Sequence, residues 1–359
     1  MSEALVLSAG HQLRDRVHAL ADAAVACEFG RNPRLSVRYG PVGRIKSRQN
    51  AVHHFLHLAD AIDVNSQALF NDYIGWLKVL LEQRGLRSGD LDHHFVCMAE
   101  AVREQMPPPV AAAAVTMIEG ALARLPAMPS TAECLLDPAQ RLFSLAHEYV
   151  QLLLGGCRGA AARLVLDAAE RGEPVRELYL QVFQRALREI GRLWQMNEIN
   201  VAQEHFCSAA TEMAMSQLLA RAAVAKPCGH SVVVACVSEE QHALGARMIA
   251  DFFDMAGWDT YFCGASTPHA GVVQTVAKRL PDVLAISAAM GYHVHAVQEL
   301  IEEIRADSRC APVTVMVGGH PFGIDPTLWQ KVGADGTAVD ADGAVTLATQ
   351  WLVKVGSPP

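Results

Sequence analysis

The segment from Ser231 to Met255 reads SVVVACVSEEQHALGARMIADFFDM. Its first seven residues form an apolar run rich in β-branched valine, as expected of a strand covered on both faces. Helix-like spacing of apolar residues begins at Ala243 and runs to Met255. Between the two lies Glu240-Gln241-His242-Ala243-Leu244-Gly245, a Glu-x-His-x-x-Gly pattern. A histidine on a strand-to-helix loop can leave the protein body and offer a ring nitrogen to a metal. A carboxylate two residues earlier can accept the other ring N–H and fix the tautomer. Gly245 lets the chain approach a bulky ligand closely. Alone, the six residues read equally well as a loop histidine capping a helix.

The rest of the C-terminal third removes that balance. Asp282-Val283-Leu284-Ala285-Ile286-Ser287 reads as a buried strand ending in serine, and Val313 to Val317 as another, ending at Gly318-Gly319. These are strand C-termini in an alternating β/α pattern, where open parallel sheets bind ligands. Glu-x-His-x-x-Gly, a strand-end serine and Gly-Gly, in that order, resemble the cobalamin-binding domain of methionine synthase and related proteins over roughly residues 229–355. The resemblance implies a Rossmann-like domain over 229–359 that binds cobalamin base-off and His-on. His242 would be the lower ligand of cobalt, with Glu240 and Gly245 supporting it. The displaced nucleotide tail would run past Ser287 and the Gly318-Gly319 turn, within reach of His320. The chain departs from the pattern at Glu240, where many members have Asp, and at Ala289, where they have Thr or Leu.

Upstream, residues 136–223 carry apolar positions at helical spacing (Leu142, Leu145, Tyr149, Leu152, Leu153), then helix-like segments near 158–170, 174–196 and 199–222. Gly155-Gly156, Gly172 and Asn197 sit at the breaks. The expectation is a four-helix bundle able to cap one face of a corrin ring. Within it, Trp194 is followed after nine residues by Glu204-His205. Bundle, Trp-x9-Glu-His and cobalamin domain in this order resemble light sensors of the CarH type, whose chromophore is adenosylcobalamin. That resemblance implies that Trp194 and Val201 pack against the upper adenosyl group, and that Glu204 and His205 hydrogen-bond its ribose or adenine side. An indole offers a large flat apolar face, and a carboxylate accepts from hydroxyls. Where well-known members have a histidine directly after the tryptophan, this chain has Gln195, so a bis-histidine light state at that position is not expected.

Length and composition agree with a multidomain chain, α then α/β. The 359 residues are 51% hydrophobic and 19% charged, which suits a well-packed protein of two or three domains. The start lacks the basic and apolar regions of a signal peptide, and the expectation is no membrane span. Nine cysteines without a Cys-x-x-Cys pair point to a reducing cytoplasm and away from a structural zinc. A net charge of −8 disfavours direct nucleic-acid binding.

Residues 1–127 read as helix throughout, with candidates at His11–Cys27, Arg44–Ala61, Ser66–Arg84, Asp90–Gln105 and Val110–Leu125, compatible with a degenerate globin-like domain. No basic recognition helix is visible. Arg44, Lys46 and Arg48 could pair with propionates, and His53, His54, His57, Tyr73, Trp76, His93 and His94 could line a flat tetrapyrrole. Such residues occur equally on solvated faces and in cores. The whole architecture resembles the photocobilins, which bind cobalamin and biliverdin. That resemblance implies biliverdin as a second cofactor over 1–127. The function expected is a light-sensing signalling protein, not an enzyme, acting through light-dependent homo-oligomer assembly or an unidentified output protein. The competing readings are a corrinoid methyl carrier of a methyltransferase system and a cobalamin storage module.

Overall fold

The structure is a computed structural model and describes residues 8–355; residues 1–7 and 356–359, at the outer edges of the first and last expected domains, lie outside it. The chain separates into two compact units that do not follow chain order. The helical unit takes residues up to Ser130 together with Ala289–Glu299 and His320–Val332, and the other unit takes the remainder.

In the helical unit, α1 (Ala9–Asp15) starts at Ser8, whose hydroxyl accepts the His11 amide at 3.1 Å, and α2 spans Val17–Arg31. The single helix expected over His11–Cys27 is therefore two. Arg16 leaves helical geometry (φ −110°, ψ 9°) and no local sequence signal marks it. The third helix, α3 (Pro33–Asp63), opens with proline at its first position, where the missing N–H costs nothing. It bends at Gly40 (φ 60°, ψ −167°) ahead of Pro41, and Arg44–Ala61 is only its second half. Helices α4 (Gln67–Glu82), α5 (Ser88–Gln105) and α6 (Pro108–Arg124) lie where the apolar spacing places them. Phe55, Leu58, Phe70, Phe95, Met98 and Ile118 form their buried core. By length and composition alone, Pro108–Ala127 is apolar enough to cross a membrane, a test that the core helix of a packed protein also passes. Val110, Ala114, Ile118 and Ala121 of this helix are instead buried.

The two later segments bring polar partners into this unit. Asp60, 1% exposed, takes an Arg14 guanidinium nitrogen at 2.5 Å and the His295 Nδ1 at 3.0 Å. Arg14 also pairs with Asp63. A carboxylate this buried is tolerated only when so partnered. Ser66 donates to Asp325 at 2.7 Å, and Lys331 holds the same carboxylate at 2.8 Å.

The second unit opens with the bundle: α7 (Phe143–Leu154), α8 (Arg158–Glu170), α9 (Val175–Glu177), a π-helical turn over Leu178–Phe183, α10 (Gln184–Gln195) and α11 (Val201–Leu219). The first helix begins at Phe143, later than the expected bundle start, because Leu142 adopts a left-handed conformation (φ 58°). The sheet follows. Strands β1 (Ser231–Cys236), β2 (Asp259–Phe262), β3 (Val283–Ser287), β4 (Thr314–Gly318) and β5 (Gly336–Thr337) are all parallel, in the order β2-β1-β3-β4-β5. Along the chain the helices between and after the strands are α12 (Leu244–Met255), α13 (His269–Arg279), α14 (Val294–Ala306), α15 (His320–Ile324), α16 (Leu328–Lys331) and α17 (Ala341–Val355), of which α15, α16 and the start of α14 belong to the helical unit. The strand order reverses direction between β1 and β3, and at such a point loops diverge to leave a ligand crevice.

Bundle and sheet share one apolar core, including Tyr179, Phe183 and Phe252. At its seam the π-turn places the Tyr179 hydroxyl 3.0 Å from the Met215 carbonyl and 2.8 Å from Asp251 Oδ2 on α12. One hydroxyl proton cannot serve two acceptors. The Tyr179 hydroxyl is placed to donate to either, so its proton is shared between the Asp251 carboxylate and the Met215 carbonyl. Burial pushes the Asp251 carboxyl up to about 6, against the Tyr179 hydrogen bond and Arg247, with Asp254 adding to the rise. The folded state thus binds this proton more tightly than the unfolded chain. The associated stability is fully present below about pH 4 and is lost as pH rises through about 6. We expect Asp251→Asn to remove roughly 2 to 3 kcal/mol from the fall in unfolding free energy between pH 4 and 7. Denaturant titrations of both proteins across that range test this; parallel profiles would mean Asp251 is ionised in the fold.

Candidate cofactor site

The loop after β1 holds the exposed histidine. Glu240 Oε1 accepts both the His242 amide at 2.8 Å and the ring Nδ1 at 2.6 Å. Glu240 is 0% exposed and the His242 side chain 63%. A buried carboxylate that accepts from Nδ1 selects, in the neutral ring, the tautomer whose Nε2 carries the lone pair, the form a metal requires. The Glu240 hydrogen bond raises the His242 imidazole above its ordinary range against partial desolvation, and the Glu204 charge adds to the rise. The loop is held in turn by the Ser266 amide, which donates to the Glu240 carbonyl at 2.8 Å.

Glu204 belongs to the bundle end. Trp194 closes the last turn of α10, and Asn197 (φ 58°) turns the chain toward α11. Asn200 and Gln203 cap α11 reciprocally at 3.0 Å, an arrangement that fixes the helix start. Val201 is exposed at the first position of that helix. One turn in, Glu204 accepts from Ser208 and from His205 Nδ1, both at 2.7 Å, while the His205 ring is 74% exposed. Trp194 is half-buried and Gln195 is buried.

Ser287, Gly318 and Gly319 meet at the C-terminal edge of the sheet. Ser287 lies beside Cys236 of β1 on one side and Gly318 of β4 on the other. Gly319 (φ 115°) crosses so close to Ala288 that a Cβ there would sit 1.9 Å from its carbonyl oxygen, whereas a Cβ at Gly245 or Gly318 would meet nothing within 4 Å. Open space above Gly245 and Gly318, next to an exposed histidine with a fixed tautomer, fits a large ligand that approaches the backbone. Cobalamin suits the donor set. His320 is directed instead at Asp72, 2.8 Å away within the helical unit.

The helical unit brings together some of the other candidates. His57 stacks on Tyr73 (centroids 3.5 Å apart, planes 13° apart), His54 Nδ1 lies 2.5 Å from the Tyr73 hydroxyl, and His54 meets His94 edge-on. Burial pushes His57 down to about 3 and His54 well below its ordinary value, so both rings are neutral. His94 Nδ1 contacts Glu28 at 2.9 Å. Burial raises the Glu28 carboxyl, but the His94 and Ser47 hydrogen bonds outweigh it and hold it low. The Nε2 atoms of His93 and His94 are buried without a hydrogen-bond partner. Glu28 and Tyr292, which packs edge-on to His57 at 5.0 Å, were missing from the candidates. A glutamate inside the apolar stripe Ala24-Val25-Glu28-Phe29 was the available signal for the first. Two of the basic candidates are engaged elsewhere: Arg48 pairs with Asp22 and Arg44 lies over Phe29.

Two family models match the chain, each described as a B12 binding domain, one over residues 230–346 and one over 145–219. With the exposed His242, the parallel sheet and the bundle, they define a cobalamin-binding protein. More particularly, the chain is similar to a transcriptional repressor and to corrinoid proteins. It is 30% identical over 168 residues to the HTH-type transcriptional repressor CarA of Myxococcus xanthus, covering 46% of this chain and 55% of the repressor. The chain thus spans about half the length of that relative. A corrinoid protein of Desulfitobacterium hafniense (strain Y51) is 24% identical over 220 residues, 59% of this chain and 100% of that protein. The monomethylamine corrinoid protein of Methanosarcina barkeri matches in structure with a TM-score of 0.54 at 19% identity, over 59% of this chain and 100% of that one, which shows a common fold.

Proposed function

We propose that the chain is a light-sensing, non-enzymatic signalling protein of the cytoplasm that holds adenosylcobalamin base-off, with His242 toward cobalt. The observation that carries this reading is the exposed His242 ring, held through Nδ1 at 2.6 Å by the fully buried Glu240 carboxylate on the loop after β1: an imidazole so oriented suits a metal-centred ligand seated over the C-terminal edge of the sheet. Bound adenosylcobalamin supplies a cobalt–carbon bond that light breaks. Trp194 and Val201 would shield its upper group, and Glu204 with His205 would hydrogen-bond the polar side of that group. Glu240 would hold His242 through Nδ1 so that its neutral tautomer presents Nε2, Gly245 would admit the ring, and Ser287, Gly318 and Gly319 would line the nucleotide tail. Loss of such a group would leave the half-buried Trp194 face without a packing partner and would let the α10–α11 connection shift. The output is a change of homo-oligomer or of contact with an output protein.

Biliverdin is the second cofactor in this reading, held in the helical unit. The buried Nε2 atoms of His93 and His94, lacking partners, fit a ligand with polar ring edges; the engaged Arg48 leaves the propionate contacts unassigned. A corrinoid methyl carrier is the second reading, favoured by the full-length match to a corrinoid protein. That match leaves about two-fifths of this chain without a role.

Absorption spectra of protein prepared in darkness with adenosylcobalamin and biliverdin, before and after green illumination, separate these readings. An irreversible cobalamin shift beside a red bilin band supports the sensor; binding of methylcobalamin but not adenosylcobalamin supports the carrier. Trp194→Ala is expected to lower the preference for adenosyl- over methylcobalamin roughly tenfold, since lost stacking of this kind is worth about 1 kcal/mol or more. An unchanged ratio would leave Trp194 a bundle residue only.

A further inference from the structure

Cys27 on α2 and Cys97 on α5 place their sulfur atoms 2.6 Å apart, the only thiol–thiol hydrogen-bond contact among the described residues. Cys97 is sealed in the core and Cys27 is half-buried. On the outer side of Cys27, Glu100 lies 3.4 Å from the sulfur and is itself held by Arg31 at 2.8 Å. The pair sits on a seam with other chemistry. Cys27 directly precedes Glu28, and Cys97 comes three residues after His94, the two partners of the buried carboxylate–imidazole contact. A covalent link here would brace α2 against α5 beside the neutral histidines His54 and His57.

We propose that Cys27 and Cys97 form a reversible dithiol–disulfide site that accepts oxidising equivalents from a low-molecular-weight disulfide of the glutathione class. The proposal does not depend on what the histidine cluster holds. Cys27, the more accessible sulfur, loses its proton to water and attacks one sulfur of the oxidant, RSSR. The S–S bond breaks and RS⁻ leaves to take up a proton. Cys97 then loses its proton and attacks the Cys27 sulfur, the mixed disulfide breaks, and the second thiol leaves. Two protein thiols have been oxidised and RSSR reduced to two RSH. Burial raises both thiols above their ordinary range, so little thiolate is present at neutral pH and exchange is slow. That suits a site set by the redox poise over time, and it protects the pair from indiscriminate alkylation.

The full chain would be equilibrated in the dark in glutathione buffers of increasing oxidised fraction, quenched with acid, alkylated and mapped by mass spectrometry. The expected result is a linked Cys27–Cys97 peptide pair that grows with the oxidised fraction, disappears with dithiothreitol, and accompanies an upward shift in melting temperature. Two results overturn the proposal: alkylation of both residues throughout the series while the exposed Cys134, Cys157 and Cys228 acquire glutathione, or a link that appears only after denaturation. In Cys97→Ser, folding being checked by circular dichroism, Cys27 is expected to stop at the mixed disulfide; an unmodified Cys27 in the folded variant refutes the order of attack. Should that variant not fold, Cys27→Ser must abolish the link and leave Cys97 without any other disulfide partner.

Discussion

Replacement of His242 by alanine is expected to weaken cobalamin binding by more than the ~10- to 100-fold that loss of an outer hydrogen-bond partner costs at metal sites, and to leave any bound cobalamin with its own base on cobalt. The imidazole is exposed while the carboxylate that orients it is fully buried. Removing the ring therefore deletes a ligand and also leaves the Glu240 oxygen without the ring N–H that it accepts at 2.6 Å. Glu240→Gln keeps an acceptor at that point and is expected to fall within the 10- to 100-fold range. Dark titrations followed by absorbance resolve both effects, because coordination by imidazole or by the cofactor's own base changes the spectrum. Unchanged affinity with a His-on spectrum in the alanine variant would remove His242 from cobalt.

Gly319→Ala is expected to destabilise the second unit by on the order of 3 to 5 kcal/mol, combining a left-handed backbone with a clash that no rotamer relieves. The added methyl would sit 1.9 Å from the Ala288 carbonyl oxygen and 2.7 Å from its carbon. Both are backbone atoms at the end of β3, so relief requires strand movement. The neighbouring Gly318→Ala is the internal contrast. It meets nothing within 4 Å and should change stability by less than about 0.5 kcal/mol, while any loss of cobalamin affinity in it would report on the nucleotide tail. Equal melting temperatures for Gly319→Ala and the parent would contradict the close crossing.

Strand β1, its loop and α12 were legible because three local signals coincide within 25 residues: a valine-rich run, a loop histidine with its carboxylate, and helical apolar spacing. Strands β3 and β4 were legible as buried runs ending in serine and glycine. The edges of the sheet were not. In β2 exposed Asp259 and Tyr261 alternate with half-buried neighbours, and β5 is two residues long, too short to show a period. In the helical part, Arg16 interrupts a helix without glycine or proline, so spacing alone joins α1 to α2. Glu240–His242 and Glu204–His205 are near neighbours in sequence and could be paired from it. Asp60 with His295, and Ser66 with Asp325, are joined only by the tertiary fold, and no local pattern announces such pairs.

The helical unit counts among its own parts Ala289–Glu299 and His320–Val332, the segments that leave β3 and β4. A gene fragment ending near Ser130 would for that reason not encode a domain. It would carry Asp60 without His295, Ser66 without Asp325 and His57 without Tyr292, as groups shaped for partners supplied more than two hundred residues later. Adding or removing this module at a chain terminus alone would leave the two segments that follow β3 and β4 without the partners they meet here. Modular swapping, routine for sensors whose parts are strung in series, would have to be done here by co-transplanting three pieces of chain.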